Sequence, residues 1–499
     1  MKTLLKTMLA PLALALAACA AAEPAVQQEH GPASLEAIGQ ASGKTAGQLG
    51  FAEAQTILRN RSDALQAQKS EAEYRRQTAI SDKDLSHPKI SFISSMIWGR
   101  KEIDLGNLDL GDRISAAADK SPALSNYLDS LGSAARKELT SQSIPLRHTF
   151  DLDGPRVALA GTWVLFAGGR IDAKQRASEA AAREASDDYA HKAIQLDAEL
   201  ARKYFMLQLA RSVTGLREEA LEDEERELRR ARGFENAGTI SRLERMSVEV
   251  NRDKAKRELI MAKTDERVAE ASLLRLLRLE SVSGLSTPLF VLPNGIGSLK
   301  EWQDRALASS PVLAAYGAKR EQAEQLVRAA KGAFLPTVSA FGQKNLVKHY
   351  LTVMEPNWIA GVSLNLTLFD NKNRRADLSA ARAKLAEATS GRLEVENQLK
   401  TGVETAWLRT NEYRDQYQLT SSTVRLAEEN LRMRESAFAN GLSTANEVWD
   451  ARTKLTGAQI EQKVAAYRFV VAWSELNAAT GSMKPFIDSL SEPGRITVR

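Results

Sequence analysis

Two kinds of hydrophobic pattern share this chain. Residues 171 to about 232 and 372 to 440 run without proline and with scarcely a glycine, and their early turns are rich in alanine (Ala173, Ala177, Ala180, Ala181; Ala376, Ala380, Ala381, Ala383). Uninterrupted helices of that length reach roughly 90–100 Å at 1.5 Å per residue. They need neighbours along their whole length, and alanine permits close approach in a coiled-coil wall. Each pattern breaks at a glycine, in "FENAGTIS" around Gly238 and "FANGLSTANEVWDA" around Gly441, and a second helix returns towards Leu273 and Leu476. These are tips of helical hairpins.

The second pattern has period two. Val362, Leu364, Leu366 and Leu368 alternate with Ser363, Asn365 and Thr367, and Leu159, Gly161, Trp163 and Leu165 alternate with small or polar partners. Such strands carry one apolar and one polar face. Similar segments start at Pro88 and Pro336, so four strands of about ten residues are predicted, the length of a transmembrane β-strand. One face would meet lipid, through Val362, Leu364, Leu366 and Leu368, and the other water. Trp98, Trp163 and Trp358 lie where an interfacial girdle belongs. Four strands cannot close a barrel, and open edges are forbidden in lipid, so several chains must each supply a sector.

The chain is duplicated, and repeats take precedence over domain counting. At an offset of 248, Ser62 falls on Ser310, Leu65 on Leu313 and Pro88 on Pro336; at 203, Leu165 falls on Leu368 and Gly238 on Gly441. The first half therefore holds about 45 extra residues between Pro88 and Leu165. The expected organisation is a signal peptide at 1–18, a lipid-anchored linker at 19–48, a first helix-strand-strand-helix repeat at 49–280, a linker at 281–297, a second repeat at 298–481 and a tail at 482–499. Within it the strands are expected at about 88–98, 156–166, 336–346 and 357–369, the insertion at about 100–150, and the tips at about 234–241 and 438–444.

Composition narrows the function. A hydrophobic fraction of 43% with mean hydropathy −0.32 excludes a polytopic helical membrane protein, and a net charge of +5 over 499 residues is too dilute for a nucleic-acid-binding face. One cysteine and five scattered histidines leave almost no ligands for a metal site and no disulfide within the chain. No cofactor is expected. The absence of a nucleophile elbow, phosphate loop or clustered ligands argues against an enzyme. "DLGNLDLGD", Asp104 to Asp112, reads as a hydrated turn in preference to a calcium loop, and the charged stretch from Arg217 to Arg232 as a solvated helix face.

Lys2 and Lys6 precede an apolar stretch from Met8 to Ala18, the build of a secretory signal. The only cysteine ends it, in Leu16-Ala17-Ala18-Cys19, which resembles a bacterial lipobox. Lipidation at Cys19, followed by Ala20 and not Asp, gives the outer membrane as the expected address.

The duplicated pattern, the "LFAGG" and "LFD" strand-to-helix junctions and the tip Asn440-Gly441-Leu442-Ser443 resemble the TolC family of outer-membrane efflux and secretion channels. The resemblance covers about Leu49 to Gly481. It implies an α+β membrane protein and a homotrimer, whose chains each give four β-strands to a twelve-stranded barrel in outer-membrane lipid, continued by a periplasmic α-barrel of coiled-coil helices. It further implies a conduit coupled to a periplasmic adaptor and an inner-membrane pump or ABC exporter. Efflux is the first expectation and type I protein secretion the second; a purely structural envelope coiled coil would not explain the strands. By the same resemblance, the tips Gly441, Leu442 and Ser443 with Gly238, Thr239 and Ile240 would hold the adaptor. Glu447 and Asp450, with Glu244 at the repeat-equivalent position, would ring the periplasmic gate. Where the family latches that gate with an aromatic hydroxyl and a basic residue, this chain has Phe438 and Ser443, leaving Arg434 and Arg452 as the nearest alternatives.

Overall fold

The computed structural model describes residues 46–141, 143–151, 154–349, 351, 355–440 and 442–498. The signal, Cys19 and Gly441 lie outside the described residues. The chain divides into two compact units, residues 84–171 with 332–372, and residues 46–83, 172–331 and 373–498 among those described.

The larger unit is built on two helical hairpins. The first joins Arg170–Asn236 to Arg242–Leu277 and the second joins Arg374–Ala439 to Ala445–Ala479, so arms of 67 and 36 residues are repeated as 66 and 35. No helix among the described residues is long and apolar enough to cross a membrane. The core lies where both hairpins meet the shorter elements. Phe51, Tyr204, Phe205, Phe290, Phe469 and Phe486 are fully buried there, mostly edge-to-face, and the Tyr204 hydroxyl donates to the Leu49 carbonyl at 2.7 Å.

The segments expected to be linkers and tail belong to this core. Val282–Leu285 pairs in parallel with Ala46–Leu49, and Leu289–Val291 pairs with Ile496–Val498 antiparallel. Leu289, Phe290 and Val291 are essentially inaccessible to water. Their backbone groups are satisfied by short ladders, as burial demands.

The smaller unit carries a four-stranded antiparallel sheet in the order Lys89–Ile97, Gly154–Phe166, Thr337–Asn345, Trp358–Asn365. Cross-strand partners share a face, and the register sorts the side chains. Ile90, Phe92, Val157, Leu159, Trp163, Val338, Ala340, Val362 and Leu364 fall on one face, with Ser94 among them; Ser91, Ser95, Thr162, Ser339, Gln343, Ser363 and Asn365 fall on the other, interspersed with Ile93, Ile97, Val164, Phe341 and Ile359. Lys344, at the end of its strand, is the only charged residue whose register position is on the apolar face. The last strand ends at Asn365, so Leu366 and Leu368, expected to continue it, lie beyond the ladder. The chain there must turn towards the helix that starts at Arg374, and no partner strand continues past Thr337 to hold it extended.

The strand ends that lead into the hairpins all leave from one end of the sheet. At that end Gly168 has φ +63°, and an added Cβ would lie 2.5 Å from the Gly332 carbonyl oxygen. Only glycine permits so close an approach, which accounts for the "LFAGG" junction.

The insertion leaves from the opposite end. Arg100–Asp109 and Ser143–Asp151 form an antiparallel ribbon crowned by three short helices, Leu110–Ala118, Pro122–Ser130 and Ser133–Thr140. Asp104–Asp112 is thus strand and first helical turn, not the hydrated loop its Asp-Gly content suggested; pairing with the returning strand overrides that local preference. The ribbon keeps the register of the sheet: Ile97 faces Gly154, and Arg100 faces Asp151. Nearby, Arg156 is buried and forks onto Glu355 through Nε at 3.3 Å and Nη2 at 3.2 Å.

Candidate functional site: the hairpin tips and the seam behind them

Both tips use one backbone recipe. In the first, the Thr239 amide donates to the Phe234 carbonyl at 2.9 Å across Gly238, whose φ is +73°; in the second, the Leu442 amide donates to the Ala437 carbonyl at 2.8 Å. Each is a six-to-one bond of the kind that closes a helix end. The returning helices then start on capping boxes. Ser241 accepts from the Glu244 amide at 3.2 Å while the Glu244 carboxylate accepts from the Ser241 amide at 2.8 Å. Thr444 accepts from the Glu447 amide at 3.3 Å, and Glu447 accepts from the Thr444 amide at 3.0 Å.

Two of the three expected gate carboxylates are therefore occupied within the chain. Glu447 also accepts from the Ser443 hydroxyl at 2.5 Å and faces Arg434 at 3.6 Å. The Ser443 bond first, then the Thr444 amide and the Arg434 charge, hold its carboxyl below the usual glutamate range. Like charges gathered at a constriction would raise it. Inside one chain the pull is the other way, because hydrogen bonds to the charged form favour it. Asp450 lies exposed on the same helix.

The tip side chains differ. Leu442 is 82% exposed, whereas at the first tip Thr239 is exposed and Ile240 packs on a small cluster of Leu228, Ala231 and Val248. Gly238 is exposed and Ser443 is half-buried against its Glu447 bond.

Two turns behind the second tip lies a constellation that sequence reading placed only by elimination. Arg452, its side chain 12% exposed, sets Nη2 2.7 Å from Glu435, Nε 3.5 Å from Asp223 and Nη1 3.6 Å from Glu224. Glu435 is in its own hairpin; Asp223 and Glu224 are in the other. Burial pushes the Glu224 carboxyl up, with Arg452 opposing that shift. The stretch from Arg217 to Arg232 is accordingly not a solvated face throughout. Glu224 is buried against Arg452 of the second hairpin, and Leu228 and Ala231 against Val248 of their own hairpin's returning arm; packing against distant segments, invisible in the sequence of one helix, tells them from their exposed neighbours. Lys254 lies 4.7 Å over the Trp449 ring, and Ser247 donates to Asn446 at 3.0 Å, so both arms of the first hairpin touch the second.

A duplicated pair of helical hairpins joined to a two-faced sheet defines a class of envelope channel. The outer membrane efflux protein family matches residues 127–277 and 302–482, and the chain belongs to that family. No curated protein sequence matches it. Among solved structures it is similar to a membrane protein from Pseudomonas aeruginosa (16% identity, TM-score 0.68, covering 87% of this chain and 90% of that one). It is also similar to the Campylobacter jejuni CmeC outer membrane channel (15%, 0.67, 89% of each) and the open state of the Neisseria gonorrhoeae MtrE outer membrane channel (18%, 0.66, 87% and 89%). At these identities the likeness shows the shared fold.

Proposed function

We propose that the protein is a trimeric outer-membrane channel of an envelope-spanning export system, passing efflux substrates outward from the periplasm. The observation that carries this reading is the sheet. It has one face that is apolar but for Ser94 and a single charge at a strand end, a second face that mixes polar with apolar side chains, and two edges, Lys89–Ile97 and Trp358–Asn365, that lack a partner among the described residues. In lipid such edges must be closed by further copies, and three chains give twelve strands. The apolar face also carries two exposed tryptophans, Trp358 and Trp163, four register positions apart. Cys19 is then a lipid anchor, Leu442 the adaptor contact of a tripartite assembly with an inner-membrane pump, and Glu447 with Asp450 the acidic lining of the periplasmic entrance.

The test uses neighbouring residues of opposite face. Phe92→Arg, at the middle of its strand and on the apolar face, places a charge in lipid at a cost of about 2–4 kcal/mol at mid-depth and should reduce trimer recovered from outer membranes several-fold. Ser91→Arg, on the opposite face, should leave it unchanged. Equal tolerance of both, or a monomer in mild detergent, would overturn the reading.

A further inference from the structure

We propose that the larger unit holds a binding site for a small apolar amino acid in its zwitterionic form, in a cavity where the chain between the two repeats meets the C-terminal tail. The proposal goes beyond the channel reading and does not depend on it.

The cavity follows from the short ladder of Leu289–Val291 with Ile496–Val498. Ile496 is the partner of Val291, so residues 292–296 leave the ladder at the same end at which residues 492–495 enter it. Beyond that end the two segments line a cavity of about 230 Å³, with the buried ring of Trp473 as its floor. The floor is held in place. The Trp473 indole N–H donates to the Ser489 hydroxyl at 3.0 Å, and Trp302 meets the ring edge-on, centroids 5.5 Å apart. Trp302 in turn donates to the Ile296 carbonyl at 2.6 Å, which ties one wall to the floor.

Arg495 supplies the reason to expect a ligand. Four arginines among the described residues have a buried N–H with no hydrogen-bond acceptor: Arg156, Arg252, Arg452 and Arg495. The first three each hold a carboxylate within 4 Å all the same: Glu355 for Arg156, Asp253 for Arg252 and Glu435 for Arg452. Arg495 has no ion pair among the described residues. Its guanidinium rests 6.0 Å from the centroid of the buried Phe290 ring, at the outer limit of a cation–π contact, and its Nη1 is sealed from water. A buried donor without an acceptor costs free energy, and a carboxylate answers a guanidinium best, through two parallel N–H bonds. A carboxylate entering the cavity gives this side chain what the other three already have.

The remaining lining selects among carboxylates. Glu492, exposed and three residues before Arg495, borders the same cavity. Its charge disfavours a dianion such as phosphate and offers a partner to an ammonium group. Leu292, Pro293 and Pro493 present carbon to the rest of the space. A base, an acid and apolar walls around one small cavity complement a molecule that carries a carboxylate, an ammonium and an apolar side chain on adjoining atoms, which is an α-amino acid of about leucine's size.

Equilibrium dialysis of the purified full-length protein in detergent against radiolabelled L-leucine reads the site directly. Leucine should bind saturably. Leucinamide, which lacks the carboxylate, should compete at least ten-fold less well, and N-acetylleucine, which lacks the ammonium, about three-fold less well, because the acid it forgoes is exposed and screened. Arg495→Gln should weaken leucine binding at least ten-fold and erase the difference between leucine and leucinamide. Glu492→Gln should weaken it about three-fold and erase the difference between leucine and N-acetylleucine. If Arg495→Gln fails to fold, Asn294→Trp fills the cavity from an exposed position in its wall and should abolish binding. No saturable binding, equal competition by leucine and leucinamide, or undiminished binding in Asn294→Trp would overturn the site, and displacement of leucine by equimolar inorganic phosphate would overturn the amino-acid assignment. Since no current is read, each of these failures leaves the channel reading where it stood.

Discussion

The two hairpin tips are the same piece of backbone with different chemistry. Both stop on the six-to-one bond, and both restart on a Ser/Thr-x-x-Glu box, Ser241 with Glu244 and Thr444 with Glu447. The side chains at matched positions then part company. Thr239 corresponds to Leu442 and Ile240 to Ser443, so the first tip folds its apolar group inward and the second offers one to solvent. Duplication has preserved what stops and starts a helix, and left free what the turn displays.

Three measurements would break or sharpen that contrast. The largest effect is expected from Leu442→Asp, which should abolish export and adaptor cross-linking, at least ten-fold, with trimer and surface level unaltered; Thr239→Asp should stay within two-fold. Equal losses would mean that the tips are used alike.

A middle effect separates the two duties of Glu447. Glutamine can close a capping box as glutamate does, so Glu447→Gln should keep the tip ordered while removing the charge, whereas Glu447→Ala removes both. Amide exchange at 444–447 should quicken several-fold in the alanine variant only. Cation selectivity should fall in both if the carboxylate lines the entrance. Because its carboxyl is held below the usual range, the charged cap contributes at neutral pH and is lost as pH falls through that lowered value.

The smallest effect is expected at the first tip, where Ile240→Ala removes a half-buried group packed on a three-residue cluster. Thermal unfolding should register about 1 kcal/mol, below the 2–5 kcal/mol of a fully buried isoleucine. A loss as large as that of a core residue would show the cluster to be part of the main core.

Much of this architecture could be read before any coordinates. Helix length follows from the absence of breakers, strand faces from period two, and the repeat from two offsets, so the hairpin arms and the four strands fall within a few residues of expectation. The local rule that was overlooked is the capping box. Ser241-x-x-Glu244 and Thr444-x-x-Glu447 stand plainly in the sequence and give both glutamates a structural duty. What could not be read depends on packing between distant segments: the burial of Glu224 among charged neighbours, the fork of Arg156 on Glu355, and the recruitment of residues 282–291 into the core. Each is a pairing of segments more than a hundred residues apart, and neither periodicity nor composition carries that information.

The register that runs from the sheet into the base of the ribbon has a consequence for how such a protein changes over generations. A hairpin that lengthens by matched pairs moves no residue already paired below it, and an odd residue can be absorbed as an irregularity, as one is between Asp104 and Asn107. The three-helix crown can therefore be gained, lost or exchanged without disturbing the strands beneath. Since Ile97 and Gly154 are direct partners, a two-residue turn is long enough to join the chain across them. The crown is in this sense removable luggage, free to drift under its own selection while the sheet beneath it stays the same.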